Sequence, residues 1–345
     1  MRATSDISSA VPLPVAAGGQ LRLFALKGSE GLGGKIAGAL GCTLAALEER
    51  SFEDGEHKIR PLDNVAGCDV YVVHSLHGGP GESPNDKLCR LLFFIGAVKD
   101  AGAARVTAVT PYLCYARKDR RTKANDPVTI RYLATLFEAV GIDGIVTLEV
   151  HNEAAFENAF RCSSVALPTA PLLIERIKAV AEDRALCVVS PDLGGGKRAD
   201  VLREGLEKAL GRPVGKAFVE KHRSSGVVSG DLFAGDAKDA LCIVVDDLIS
   251  TGGTLVRAAK AARAHGARDV IAAVAHGLFM PGAEKALADP AIDRIIVTDT
   301  VPPFRLPAGP VRDKLEIISA APLIAETIRR LRSNEPIADL LMYQA

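Results

Sequence analysis

Short apolar runs alternate with amphipathic segments along the chain from Leu21 onward. Runs such as "LRLFAL", "DVYVVHSL", "RVTAVTP", "GIVTLEV", "ALCVVSP" and "LCIVV" predict strands that are buried on both faces. Between them, "NDKLCRLLFFIGAVKDAG", "TIRYLATLFEAVG" and "KRADVLREGLEKALG" have the apolar spacing of helices. Strands that alternate with helices in this way predict an α/β fold with mainly parallel sheets flanked by helices.

One segment interrupts this alternation near the middle of the chain. The sequence "SSVALPTAP", Ser163 to Pro171, is rich in Pro, Ser and Ala and predicts a hinge between two domains, residues 21–165 and 166–345. Residues 1–20 are expected to be a disordered tail. The stretches "VTAVTPYLCYARKDRRT" and "LCVVSPDLGGGKRAD" both run from a strand through a loop to a basic cluster, which suggests two related domains facing a common cleft.

The composition excludes several classes of partner. Lysine plus arginine (42) equals aspartate plus glutamate (42), aromatic residues make up 5%, and tryptophan is absent, so we expect no nucleic-acid partner. The apolar runs are strand-length, and we expect no membrane partner. Seven cysteines without C-x-x-C spacing, and a start that lacks the features of a secretion signal, predict a cytoplasmic protein.

The stretch "LCIVVDDLISTGGTL", Leu241 to Leu255, carries the strongest chemical signal. A buried strand runs into two acids and a Ser-Thr-Gly-Gly-Thr turn, and the helical pattern "VRAAKAARAHG" that follows stops at Gly266. At the carboxyl edge of a parallel sheet, the free N–H groups of such a turn bind anions, while two acids suit the hydroxyls of a sugar or a shared divalent cation. A pentose phosphate satisfies both requirements. The alternative is an ordinary turn whose Asp, Ser and Thr residues cap a helix.

A second glycine-rich stretch does not fit a nucleotide loop. In "KGSEGLGGKIAG", five residues separate Gly28 from Gly34, where a P-loop needs four, and Ile36 follows Lys35 in place of Ser or Thr. This stretch is therefore predicted to be a strand-to-helix turn.

The Leu241–Leu255 stretch resembles the phosphoribosyl-diphosphate loop shared by phosphoribosyltransferases and ribose-phosphate diphosphokinases. Four further stretches resemble the diphosphokinases specifically: "RSFEDGEHKIR" (50–60), "PYLCYARKDRR" (111–121), "TLEVHNE" (147–153) and "VVSPDLGGGKR" (188–198). The resemblance implies two similar phosphoribosyltransferase-like domains and transfer of the diphosphoryl group of ATP to ribose 5-phosphate, with Mg²⁺ as cofactor. It also implies a homo-oligomer and a last helix, "PLIAETIRRL", that packs back on the first domain.

The resemblance also implies roles for individual residues. ATP would be held by the adenine-binding residues of "FEDGE" and the phosphate-binding residues of "ARKD": Phe52, Asp54, Glu56, Arg117, Lys118 and Asp119. Lys118 stands where the family normally has glutamine. By composition alone, the Asp-Gly pair of "FEDGE" is typical of a plain hairpin turn.

The remaining implied roles concern the metal, catalysis and the sugar phosphate. His151 and Asp192 would bind Mg²⁺, and Lys221 and Arg223 would be catalytic, although a lone histidine is often structural and a Lys/Arg pair often only a solvated surface. Ribose 5-phosphate would be held by the acids and the turn: Asp246, Asp247, Ser250, Thr251, Gly252, Gly253 and Thr254.

Two alternatives stay open at this point. A phosphoribosyltransferase would share the Leu241–Leu255 motif, and a non-catalytic regulatory homologue would share most of the sequence. The family's regulatory phosphate site usually carries a serine and two arginines where this chain has Asn64, Ala66 and Asn125. Since charge-assisted phosphate contacts are lost there, we expect weak inhibition by ADP and no dependence on orthophosphate.

Overall fold

The structure is a computed structural model that describes residues 19–224 and 227–342, and the side chains of residues 220–231 lie outside that description. Of the expected tail, residues 1–20, only Gly19 and Gln20 are among the described residues.

The first sheet contains five parallel strands, and a separate two-stranded antiparallel hairpin lies beside it. In sheet order the five strands are β1 (Leu21–Ala25), β4 (Asp69–Val73), β5 (Arg105–Thr110), β6 (Gly144–Leu148) and β7 (Ser163–Leu167). The hairpin consists of β2 (Leu47–Ser51) and β3 (His57–Pro61).

The second sheet contains seven strands, and only its edge strand β10 pairs antiparallel among the described strands. In sheet order these are β10 (Val227–Ala234), β9 (Gly215–Ser224), β8 (Leu186–Ser190), β11 (Leu241–Ile249), β12 (Asp269–Gly277), β13 (Arg294–Thr298) and β14 (Leu315–Ile318). The predicted α/β fold with mainly parallel sheets is confirmed.

The helices cover both faces of each sheet, as the apolar spacing predicts. They are α1 (Glu30–Leu40), α2 (Pro84–Asp100), α3 (Thr129–Ala139), α4 (Glu153–Ala159), α5 (Ala170–Ala181), α6 (Gly196–Leu210), α7 (Gly253–Ala264), α8 (Ala283–Leu287), α9 (Pro310–Asp313) and α10 (Ala321–Ser333). Local sequence sets their ends: Ser83 and Asp86 form a capping box at the start of α2, and Gly266, with φ +87°, follows the end of α7. Within the described residues, none of these helices is long and apolar enough to cross a bilayer.

The last helix completes the core of the first sheet. Ile324 and Ile328 of α10 are buried in one cluster with Ile36 of α1 and the strand residue Leu23. Arg332 of the same helix donates to the buried carboxylate of Asp69 over 3.2 Å. The C-terminal segment therefore stabilises the N-terminal sheet.

Two segments differ from the sequence-based expectation. The region expected to be a hinge contains β7, which pairs with β6, so that only residues 168 and 169 separate this strand from α5. Alternating buried positions at Val165 and Leu167 explain the strand, and the Pro/Ser content obscured it. No strand is predicted from the sequence around Lys221 and Arg223, but this segment has the backbone of β9, which pairs with β10.

The carboxyl ends of the two sheets face each other across a cleft. His276 of β12 lies 3.0 Å from the carbonyl oxygen of Leu148, and the hydroxyl of Ser75 donates to the carbonyl of Thr300 over 2.5 Å. Lys35 forms an ion pair with Asp299 at 2.7 Å. These contacts hold the end of β6 opposite the end of β11, which is where the predicted site residues lie.

Candidate active site

The two acids of the Leu241–Leu255 motif lie near the carboxyl end of β11. The preceding residues Leu241–Val245 are fully buried, so the strand carries its acids to the cleft on a rigid support. Burial and the neighbouring Asp247 carboxylate raise the pKa of Asp246 to about 7. Burial alone would also raise the pKa of Asp247, but the hydrogen bond with His151 and the charge of Arg198 outweigh it and hold that pKa below its usual value.

His151 follows β6 and meets Asp247 across the cleft. Its Nδ1 lies 2.7 Å from Oδ2 of Asp247, and this contact raises the pKa of His151 despite partial burial. A histidine that binds a metal usually donates its other ring N–H to a carboxylate, which fixes the ring and leaves Nε2 for the ion. The side chain is 46% exposed and Nε2 has no partner among the described residues, so the arrangement suits a metal ligand.

Arg198, in the first turn of α6, joins the acids of both sheets. Its Nε donates to Glu149 over 2.7 Å, and its Nη1 lies 3.8 Å from Asp246. Burial by itself would lower the pKa of Arg198, but the charges of Glu149, Asp247 and Asp246 outweigh it and raise that pKa. This guanidinium therefore lies between three carboxylates.

Asp192 lies in the glycine loop that leads into α6. Its Oδ1 accepts from the N–H of Gly195 over 2.9 Å. A Cβ at Gly195 would come within 2.8 Å of the Ser190 hydroxyl and within 3.8 Å of both Asp192 Oδ1 and Arg198 Nη1. Asp192 and Arg198 therefore lie around the same small space next to Gly195.

The turn after β11 leaves backbone N–H groups available at the start of α7. Gly252 has φ +80°, and a Cβ there would also lie 2.7 Å from the Leu287 side chain, so only glycine fits. The N–H groups of residues 251–254 have no acceptor in the described part of the chain, and no side chain caps α7. Together with the helix dipole, they are arranged to accept an anion next to Asp246 and Asp247.

The "FEDGE" stretch forms the tip of the β2–β3 hairpin. The N–H of Phe52 donates to the carbonyl of Glu56, the N–H of Glu56 donates to Asp54 Oδ1 over 3.0 Å, and Gly55 has φ +92°. The Phe52 ring is 37% exposed, with the Arg50 guanidinium 5.2 Å from its centroid. An exposed aromatic ring on an ordered turn can stack on a planar base.

The "ARKD" residues lie on the loop between β5 and α3. Arg117 has no hydrogen bond or ion pair within the described ranges, whereas Lys118 forms an ion pair with Asp126 at 2.7 Å. Asp119 accepts from Asn152, the residue after His151, over 2.7 Å. This loop thus adjoins the His151 side of the cleft. No described hydrogen bond or ion pair joins it to the hairpin tip.

The structure brings together most of the predicted residues and adds two. His151 contacts Asp247 directly, and Asp192 and the 250–254 turn border the same edge, while the Lys221 and Arg223 side chains lie outside the described residues. Sequence reasoning missed Glu149 and Arg198, although both stand in motifs quoted above. Within the described residues, no three His, Cys, Asp or Glu side chains form a ready metal site.

Two family models match the chain. The model described as the N-terminal domain of ribose phosphate pyrophosphokinase matches residues 21–141, and the phosphoribosyl synthetase-associated domain matches residues 227–342.

Curated relatives and a solved structure extend the match over nearly the whole chain. The ribose-phosphate pyrophosphokinase of Clostridium perfringens is 35% identical over 324 residues, which is 93% of this chain and 97% of the relative. That of Caldanaerobacter subterraneus is 36% identical over 323 residues, with the same shares. The crystal structure of the phosphoribosylpyrophosphate synthetase of Mycobacterium smegmatis has 34% identity and a TM-score of 0.81, covering 91% of this chain and 99% of that one.

Proposed function

This chain belongs to the ribose-phosphate pyrophosphokinase family and is an enzyme of phosphoribosyl pyrophosphate synthesis, and we propose how its residues carry out the reaction. The anomeric hydroxyl of ribose 5-phosphate attacks the β-phosphorus of ATP. The bond from that phosphorus to the oxygen bridging to the α-phosphate breaks, AMP leaves, and the hydroxyl proton passes to solvent. The products are AMP and 5-phosphoribosyl 1-diphosphate.

The observation that carries this proposal is the pair of acids beside a row of N–H groups that have no acceptor among the described residues. Asp246 and Asp247 accept hydrogen bonds from the ribose hydroxyls, and the N–H groups and hydroxyls of residues 250–254 hold the 5-phosphate. Because this phosphate is held and not transferred, backbone dipoles suffice and the turn needs no lysine.

ATP is held on the other side of the cleft in this proposal. The exposed Phe52 ring stacks on adenine, with Asp54 ordering the turn and Glu56 accepting from the adenine amino group. Arg117 meets the phosphates, and Lys118 and Asp119 complete the loop that borders His151. Lys221 and Arg223 stabilise charge on the transferred diphosphoryl group.

The donor set also suits a divalent cation such as Mg²⁺. His151 and Asp192 would hold it, with substrate oxygens supplying the other ligands, since magnesium uses few protein ligands. When bound, the cation neutralises charge on the phosphate oxygens. His151 is oriented for this role by its Nδ1 contact with Asp247.

The setting of the enzyme forms part of the same proposal. We propose a cytoplasmic homo-oligomer whose two domains divide near residues 165–169. All seven cysteines are free thiols, which fits a reducing compartment.

One assay tests the proposal. The purified protein is incubated with ATP, Mg²⁺ and ribose 5-phosphate, and the products are identified by ³¹P NMR and nucleotide chromatography. AMP and 5-phosphoribosyl 1-diphosphate in equal amounts are expected. ADP would indicate an ordinary kinase, and base-dependent consumption of added 5-phosphoribosyl 1-diphosphate would indicate a phosphoribosyltransferase. Substrate binding without turnover would indicate a non-catalytic homologue.

A further inference from the structure

A chain of polar contacts runs from the connection between the two sheets to the ribose-binding acids. Thr169, at the start of α5, donates through its N–H (2.8 Å) and its hydroxyl (2.7 Å) to Oε2 of Glu149. Oε1 of Glu149 accepts from Arg198, and Arg198 in turn reaches Asp246. Both carboxylate oxygens of Glu149 therefore have hydrogen-bond partners within the protein.

The backbone at Glu149 is held in a conformation that this residue type rarely adopts. Its φ is +46°, in the left-handed region, and its carbonyl oxygen lies 3.0 Å from Nε2 of the fully buried His276. Such conformations persist only where surrounding contacts determine them, and they concentrate at functional sites. The strained strand end at Glu149 fixes the direction in which the chain continues to His151.

Burying the charged guanidinium of Arg198 costs free energy. Arg198 and Glu149 are only 17% and 12% exposed. A buried ion pair contributes little net stability compared with apolar residues of the same size, so stability alone gives no reason for one at this edge. Its position between the Glu149 and Asp246 carboxylates gives a different reason.

We propose that Arg198 and Glu149 are positioning residues for the reaction, which rests on the proposed role of Asp246 in holding ribose. Arg198 fixes the Asp246 carboxylate toward the ribose hydroxyls. Through Glu149, it also sets the distance between the β11 edge that binds the sugar and the β6 edge that carries His151. The pair thereby aligns the two substrates that bind to different sheets.

The test is a double-mutant cycle with Arg198→Met, Glu149→Gln and their combination, assayed against both substrates. Arg198→Lys keeps a point charge without the planar fork and serves as the conservative variant. Arg203→Met is the matched control, because this arginine lies on the same helix but, within the described part of the chain, pairs only with its α6 neighbours Asp200, Glu204 and Glu207. Wild-type formation of AMP and 5-phosphoribosyl 1-diphosphate is measured first, and the melting temperature of every variant is recorded.

In Arg198→Met, the kcat/KM for ribose 5-phosphate is expected to fall about 100-fold, with the KM for ATP changed by about twofold or less. The kcat/KM of Arg198→Lys should be about tenfold higher than that of Arg198→Met. The double variant should have the same kcat/KM as Arg198→Met, because the two residues act as one unit. Arg203→Met should match the wild type.

Three results would overturn the inference: equal increases in both KM values, losses that multiply in the double variant, or a wild-type kcat/KM for ribose 5-phosphate in Arg198→Met. If Arg198→Met does not fold, an unchanged KM for ribose 5-phosphate in both Glu149→Gln and Arg198→Lys overturns it instead. An inactive wild type would count against the proposed function itself, whereas an active wild type with unaffected variants counts against the positioning role alone.

Discussion

Replacing Asp246 with asparagine should stabilise the protein while it weakens the binding of ribose 5-phosphate. The carboxyl group is buried beside Asp247, and its pKa rises from 3.8 to about 7. Between these two pH values the unfolded chain ionises Asp246 and the folded protein does not, so stability is lost as pH rises through this window and stays reduced above it. At about 1.4 kcal/mol per pKa unit, the ionisation of buried Asp246 lowers the free energy of unfolding at pH 8 by no more than about 4 kcal/mol.

Asparagine removes this cost because it does not titrate. Arg198 loses one partner at 3.8 Å but keeps Glu149 at 2.7 Å, so the net gain should be about 2 kcal/mol at pH 8. In a chain of this size that corresponds to a rise in melting temperature of roughly 3 °C. Near pH 4 the gain should vanish.

The assay compares the wild type, Asp246→Asn and Asp247→Asn by calorimetry from pH 4 to pH 8, with KM values for both substrates at pH 8. Asp247→Asn is the matched control, with the opposite expected effect on stability at pH 8. The pKa of Asp247 is lowered in the folded protein, so its ionised carboxylate stabilises the fold above the unfolded-state pKa of 3.8. A melting temperature of Asp246→Asn below the wild type at pH 8 would refute the electrostatic argument. A larger loss of affinity for ATP than for ribose 5-phosphate would refute the assignment of the acids to the sugar.

Four further predictions concern catalysis, the phosphate turn, the His151 contact and regulation. Lys221→Ala and Arg223→Ala should each lower kcat about 100-fold with little change in KM, and an unchanged kcat in steady-state assays would remove both residues from the mechanism. Gly252→Ala places a methyl group in the left-handed region against a leucine of α8, so it should lower the melting temperature and raise the KM for ribose 5-phosphate, whereas wild-type values would contradict the described turn. The contact with Asp247 raises the pKa of His151, so the contact stabilises the protein fully below the unfolded-state pKa of 6.5 and this stabilisation is lost as pH rises through the folded-state pKa. The melting temperature of His151→Asn should therefore lie further below that of the wild type at pH 6 than at pH 9. A difference that grows from pH 6 to pH 9 would contradict this argument. Enzyme activity in phosphate-free buffer should be near maximal, and ADP should inhibit only by competing with ATP. Strong activation by phosphate, or inhibition by ADP that ATP cannot relieve, would instead show that other basic residues complete the regulatory site.

The parallel core of the fold was predictable because buried strands and amphipathic helices each leave a periodic pattern. The edges were not. The edge strand β7 lies in a Pro/Ser-rich segment, and β9 and β10 pair antiparallel across a polar sequence, so neither showed the apolar run that identified the inner strands. Edge strands are only partly buried, and their sequences are correspondingly less constrained.

The candidate site shows the same division. Asp246, Asp247 and the 250–254 turn were predictable because one continuous segment supplies them all. Glu149 and Arg198 stand 49 positions apart. Their pairing depends on the approach of two separate sheets, which no local pattern encodes. The sequence did offer one usable signal: the charged Glu149 follows the buried strand β6 directly and stands two positions before His151.

The packing of α10 on α1 has a consequence for the order in which the chain acquires its structure during synthesis. The N-terminal sheet leaves the ribosome first, yet Ile324 and Ile328, which cover one face of it, are among the last residues to be translated. Until they emerge, the nascent first half exposes apolar surface, including Ile36, that chaperones and aggregation partners can bind. A premature stop codon before residue 321 would therefore remove only the end of the chain but leave its beginning incompletely folded.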